Sequence, residues 1–108
     1  MAMTPEKKVK DKVAKVLKQL GAYYFFPATG GYGRSGVPDI VGCLDGNFFA
    51  IECKAGTNTT TALQERELIK ILESGGRAIV INEDKIDELK NDLLDPEKLV
   101  YIGNSDCY

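Results

Sequence analysis

Apolar residues punctuate the start of this chain at helical spacing. Val9, Val13, Val16, Leu17 and Leu20 fall three or four positions apart and share one face of a helix. Thr4 followed by Pro5 supplies a start signal, a capping hydroxyl before a residue suited to the first helical position, and Gly21 supplies the stop. The period then changes. Residues 22–26 (AYYFF) read as a short aromatic strand closed by Pro27, and Gly30-Gly31-Tyr32-Gly33-Arg34-Ser35-Gly36 as a flexible loop. Residues 37–44 and 47–55 read as two strands around Asp45-Gly46, a strong hairpin signal. A polar stretch leads into a second helix over 61–74, stopped by Gly75-Gly76. A buried-type strand follows at 77–82 (RAIVIN), then an acidic amphipathic helix at 83–93, with 99–102 as a candidate last edge strand. The order α-β-β-β-α-β-α predicts an α/β fold with a central mixed sheet flanked by helices. The step from the third strand through the second helix to RAIVIN reads as a right-handed parallel βαβ crossover.

The length, 108 residues, suits one domain with a single core, so residues 1–108 are expected to form one unit. No apolar run reaches the length of a bilayer span, and the lysine-rich N-terminus lacks the apolar stretch of a secretory leader. No membrane partner is therefore expected, and three cysteines without framework spacing point to a reducing, cytoplasmic setting.

Charge and composition narrow the chemistry further. The net charge is −2, without the global basic signature of a non-specific nucleic-acid binder. It is unevenly spread: residues 1–20 hold six lysines against two acids, and residues 83–98 seven acids against three lysines. Such polarity fits one face turned toward phosphate, and equally two solvated helices. The chain has no histidine. Ser-His-Asp and Cys-His pairs are therefore impossible within it, and three scattered cysteines do not make a zinc site. Carboxylate and lysine chemistry with a hard metal ion remains.

The hairpin gives that chemistry a place. A two-residue Asp45-Gly46 turn sets Leu44 opposite Asn47, and counting outward sets Asp39 opposite Glu52 on one face of the sheet. Cross-strand neighbours have Cβ atoms about 4.5–5.5 Å apart, and like charges there repel. Lys54, two positions beyond Glu52, shares that face. Phe49, Ile51 and Cys53 make the other face apolar, so Glu52 and Lys54 close a buried strand. A bound cation would turn the repulsion into binding energy. The competing explanation is a salt-bridge cluster, and a register slip or bulged turn would change who faces whom.

Other polar residues extend the picture. Glu6 falls in line with Val9, Val13 and Leu17, where an acid either points to a metal or sits solvated in the first helical turn. Gln64 falls on the inward side of the second helix, with a capping role as its alternative. Lys7, Lys8, Lys15 and Lys18 line the opposite face of the first helix as a solvated stripe. Arg34 and Ser35 are the candidates for substrate phosphates, a guanidinium and loop N–H groups beside the acids. The glycine loop precedes a strand and matches neither a Walker loop nor GxGxxG. Tyr23, Tyr24, Phe25 and Phe26 are read as core, not as a base-stacking platform.

Gly36-Val37-Pro38-Asp39-Ile40 followed by Glu52-Cys53-Lys54, with twelve residues between Asp39 and Glu52, resembles the PD-(D/E)XK nuclease motif. The Gly-Val-Pro-Asp-Ile lead and the helix carrying Gln64 resemble the virus-type replication–repair nuclease (VRR-NUC) group, in its stand-alone phage-type form, over about residues 4–82. The resemblance implies a restriction-endonuclease-like αβββαβ core and Mg²⁺- or Mn²⁺-dependent hydrolysis of DNA. It also implies a homodimer acting on branched DNA such as four-way junctions. Carried over by position, Asp39 and Glu52 become catalytic metal ligands with the Cys53 main-chain carbonyl, Glu6 the helix-one acid on the metal, Gln64 the catalytic helix-two glutamine, and Lys54 the catalytic motif lysine, which binds DNA together with Arg34 and Ser35. Two competitors stay open: a non-catalytic DNA-binding or assembly domain of the same fold, and a sequence-specific restriction-type endonuclease.

Overall fold

A computed structural model describes residues 4–28 and 35–95. Helix α1 spans Pro5–Leu20, followed by strands β1 (Tyr23–Phe25), β2 (Ile40–Leu44) and β3 (Asn47–Cys53), helix α2 (Ala62–Glu73), strand β4 (Arg77–Ile81) and helix α3 (Ile86–Leu94). The strands form one sheet in the order β1-β2-β3-β4. The first two pairings are antiparallel and β3–β4 is parallel, as a crossover through α2 requires. This is the mixed α/β arrangement expected of the chain.

Local chemistry accounts for the element ends. Thr4 accepts a hydrogen bond from the Lys7 N–H through its side chain, Pro5 opens α1, and Gly21 closes it in the left-handed region at φ 74°. Asp45 and Gly46 both have positive φ (52° and 84°), the signature of a type I′ turn. The hairpin register therefore runs Leu44↔Asn47 through Ile40↔Ile51, without slip or bulge. All four strands are shorter than expected, β3 ending at Cys53 and β4 at Ile81. β2 starts at Ile40, because Gly36 sits at φ 80° and Pro38 has no N–H to offer a ladder. β1 covers only Tyr23–Phe25, ahead of Pro27. The candidate strand at 99–102 lies outside the described residues.

The two sheet faces are covered differently. On one, Ile40, Leu44, Phe49, Ile51, Cys53, Ile79 and Ile81 pack against Val9, Val13 and Leu17 of α1 and Leu89 and Leu93 of α3, with Tyr24 joining from β1. On the other, Leu68 of α2 packs on Ala78, with Ile69, Ile71, Leu72 and Val80 around it. α2 covers β4 and leaves much of the β1–β2 side open. Tyr23 pairs with Cys43 and Cys43 with Phe48, and all three side chains in that row are exposed. The aromatic run is therefore not core as expected. Only Tyr24 packs inward: Tyr23 is 70 % and Phe25 48 % exposed, because β1 is an edge strand with one uncovered face, and Phe26, just past its end, is 47 % exposed.

Candidate functional site

The hairpin brings Asp39 and Glu52 together at the end of the β2–β3 ladder. Asp39 stands just before Ile40, whose partner is Ile51, so the next step along the register faces Glu52. Asp39 Oδ2 accepts a hydrogen bond of 2.9 Å from the Cys53 N–H, which holds its carboxylate against the edge of β3. The lead-in explains the glycine: a Cβ on Gly36 would collide with the Leu63 carbonyl in the first turn of α2. A side chain at 36 would push the Pro38-Asp39 segment off that helix.

Glu52 is almost fully buried, at 2 % exposure. Its Oε2 accepts a hydrogen bond from Gln64 Nε2 at 3.0 Å and lies 3.6 Å from Lys54 Nζ. Its Oε1, also buried, has no hydrogen-bond partner. Burial, followed by the neighbouring Asp39 charge, pushes the Glu52 carboxyl from 4.5 up to about 8, against the opposing pull of Lys54. Burial and the same two acids also push the Cys53 thiol upward, which removes it as a nucleophile.

Gln64 takes both roles that its position allows. As the third residue of α2 it completes a capping box, its Oε1 accepting from the Thr61 N–H at 2.9 Å while Thr61 Oγ1 accepts from the Gln64 N–H at 3.2 Å. Its amide nitrogen is left to reach Glu52. The helix cap thus fixes the rotamer that presents the donor.

Sequence reasoning missed three contributors. Lys10 Nζ lies 3.7 Å from Asp39 Oδ1, and Asn58 Nδ2 donates to Glu6 Oε2 at 3.1 Å. Glu83 Oε1 accepts from the Gly56 N–H at 2.8 Å and anchors the loop that follows Lys54. Lys10 had a detectable signal, lying four residues after Glu6 on the same helical face. Asn58 and Glu83 had none, since loop packing brings them in. Glu6 is half-buried and contributes to the field at Glu52 without touching it. Ser35 is exposed, and Arg34 lies outside the described residues.

The donor set is wholly oxygen, which suits a hard cation. An unpartnered, buried carboxylate oxygen facing a second carboxylate is the kind of atom that such an ion satisfies. Among the described residues no three His, Cys, Asp or Glu side chains converge as a ready-made cage. Two carboxylates are nevertheless enough for Mg²⁺, which keeps several waters and leaves positions to a substrate phosphate.

No model of a known protein family matches the chain, and no curated protein matches it in sequence. A solved structure described as a VRR_NUC domain is similar in fold, with a TM-score of 0.71 at 22 % identity, covering 82 % of this chain and 97 % of the other. The sheet with its three helices is therefore the fold of that nuclease domain.

Proposed function

We propose that the chain is a divalent-metal-dependent deoxyribonuclease that hydrolyses phosphodiester bonds, acting on branched DNA such as four-way junctions as a cytoplasmic homodimer. One observation carries this reading: a buried Glu52 facing a half-buried Asp39, with Lys54 beside them and Glu52 Oε1 unpaired, in a fold shared with a VRR_NUC domain. Folding alone disfavours such a pair, whereas phosphodiester hydrolysis needs it.

Asp39 and Glu52 would hold the ion with the main-chain carbonyl of Cys53, and Glu6, whose charge is felt at Glu52, would hold its water shell. A bound Mg²⁺ or Mn²⁺ supplies Lewis acidity, lowering the pKa of a water and offsetting charge on the phosphoryl oxygens. The remaining work falls to the chain. Gln64 donates to Glu52 Oε2 and so keeps Oε1 turned toward the site. Lys54, only 8 % exposed, has a short, fixed reach, and its ammonium orients the attacking water and stabilises the developing oxyanion. Arg34 and Ser35 would take phosphates flanking the scissile bond. A symmetric dimer would present two such sites to paired strands.

The test is incubation with linear duplex, single-stranded and four-way-junction DNA in Mn²⁺ or in EDTA, with light scattering for the assembly. Metal-dependent products, most abundant from the junction, are expected. Asp39→Ala and Lys54→Ala should each lower the rate by at least about a hundredfold with unchanged circular dichroism. Cleavage retained in either variant overturns the residue assignment. Junction binding indifferent to Mn²⁺ and without product would instead mark a non-catalytic binding domain.

A further inference from the structure

The first residue after β1, Phe26, is a large aromatic side chain left 47 % exposed. It is nonetheless held in place. Its ring meets Tyr24 edge to face, with centroids 6.2 Å apart and planes at 90°, and Tyr24 is itself anchored in the core. Lys10 Nζ stands 5.9 Å from the Phe26 centroid, at the outer edge of cation–π range, so the contact leaves the ring accessible. The same ammonium lies 3.7 Å from Asp39 Oδ1. One lysine thus links an exposed ring to the carboxylate pair. Among the described residues the other open aromatics are Tyr23 and Phe25, which meet each other in β1, and Phe48 in β3.

We propose that Phe26 and Lys10 form a seat for one unpaired nucleotide beside the carboxylates, with the base stacked on the Phe26 ring and its phosphate drawn to the Lys10 ammonium. The proposal rests on the nuclease reading and adds to it a preference for substrate with an unstacked base next to the cut. Base–aromatic stacking tolerates any sequence, because every base has a π-face, and the ring needs only to be fixed and exposed. A cation between ring and acids is placed where the phosphate joined to that base would arrive. A protein partner's apolar side chain would gain nothing from that charge.

The chain contains no tryptophan, so Phe26→Trp introduces a single tryptophan at the seat, excited selectively over the five tyrosines. A short fluorescein-labelled single strand and an abasic strand of equal length are titrated in Ca²⁺, with binding followed by anisotropy and stacking by tryptophan emission. The base-bearing strand should quench the emission and the abasic strand should not. In parallel titrations with the other residues unchanged, Phe26→Ala and Phe26→Leu should each weaken the base-bearing strand by about fivefold or more and leave the abasic strand unaffected. Lys10→Gln should weaken both strands and flatten the salt dependence. Unchanged emission at saturating DNA, or equal affinity of Phe26→Ala for the base-bearing strand, overturns the seat while junction cleavage by the wild type leaves the nuclease reading standing. A wild-type chain that neither binds nor cleaves DNA overturns both.

Discussion

Glu52 carries the strongest electrostatic demand in the described chain. Its carboxyl is removed from water, faces Asp39, and has donors on only one of its two oxygens. An isolated buried carboxylate is costly, and the chain's own answer without a cation is to keep the proton. This has a testable sign. The folded-state value of about 8 exceeds the ordinary 4.5, so between those limits the folded chain holds a proton that the unfolded chain has lost. By linkage, the Glu52 contribution to stability is fully present below about 4.5 and is lost as pH rises through about 8. In EDTA, the Tm of the wild type should therefore fall relative to that of Glu52→Gln between pH 5 and pH 8. Each kcal/mol of ionisation cost corresponds to about 4–8 °C. Melting curves that stay parallel across this range would refute the assignment. The order reverses for the ion: a metal needs the carboxylate, so Mn²⁺ binding measured by calorimetry should tighten over the same pH interval and release protons.

The elements around the site owe their positions to caps and turns. Thr61 ties a helix terminus to the candidate site, since its capping box orients the Gln64 amide that reaches Glu52. Thr61→Ala should cost about 1 kcal/mol, the usual value of an N-cap hydroxyl, read from urea unfolding. It should also lower cleavage more than an equally destabilising substitution elsewhere, for example Leu93→Val in α3. Equal effects would make the cap purely structural. The hairpin works in the same way: a type I′ turn at Asp45-Gly46 sets the register, and the register sets the acids side by side. Signals this local are legible in the chain because turn chemistry and a two-residue period involve only near neighbours. Strand length was less legible. β2 starts three residues later than periodicity implied, because Gly36 lies against the first turn of α2 at positive φ and Pro38 has no N–H to offer the ladder.

Across the protein, charge is arranged against uniform attraction to DNA. The net charge is −2, and Glu6 and Asp39 set a negative field at Glu52, where the proposed reaction would bring a phosphate. DNA affinity should therefore be weak in EDTA and rise roughly tenfold, about 1.4 kcal/mol, when Ca²⁺ replaces it. Fluorescence anisotropy with a junction at constant ionic strength measures this, and equal affinity in both buffers would show that the acids do not face the DNA. The same packing that sets this field also leaves the β1–β2 side of one sheet face open, with Tyr23, Cys43 and Phe48 in a single exposed row.

Helix periodicity, caps, the hairpin and its register were all present in the order of the residues, and with them the Asp39–Glu52–Lys54 group. Each depends on steric and hydrogen-bonding preferences acting over a few positions. Tertiary packing decided the partners: Lys10 on Asp39, Asn58 on Glu6, Gln64 on Glu52 and Glu83 on the loop after Lys54. It also decided that Tyr23, Phe25 and Phe26 stay exposed. An apolar side chain carries the same local signal whether or not something covers it, and coverage depends on where α2 comes to rest on the sheet. That position is set by long-range burial, which no short window of sequence contains.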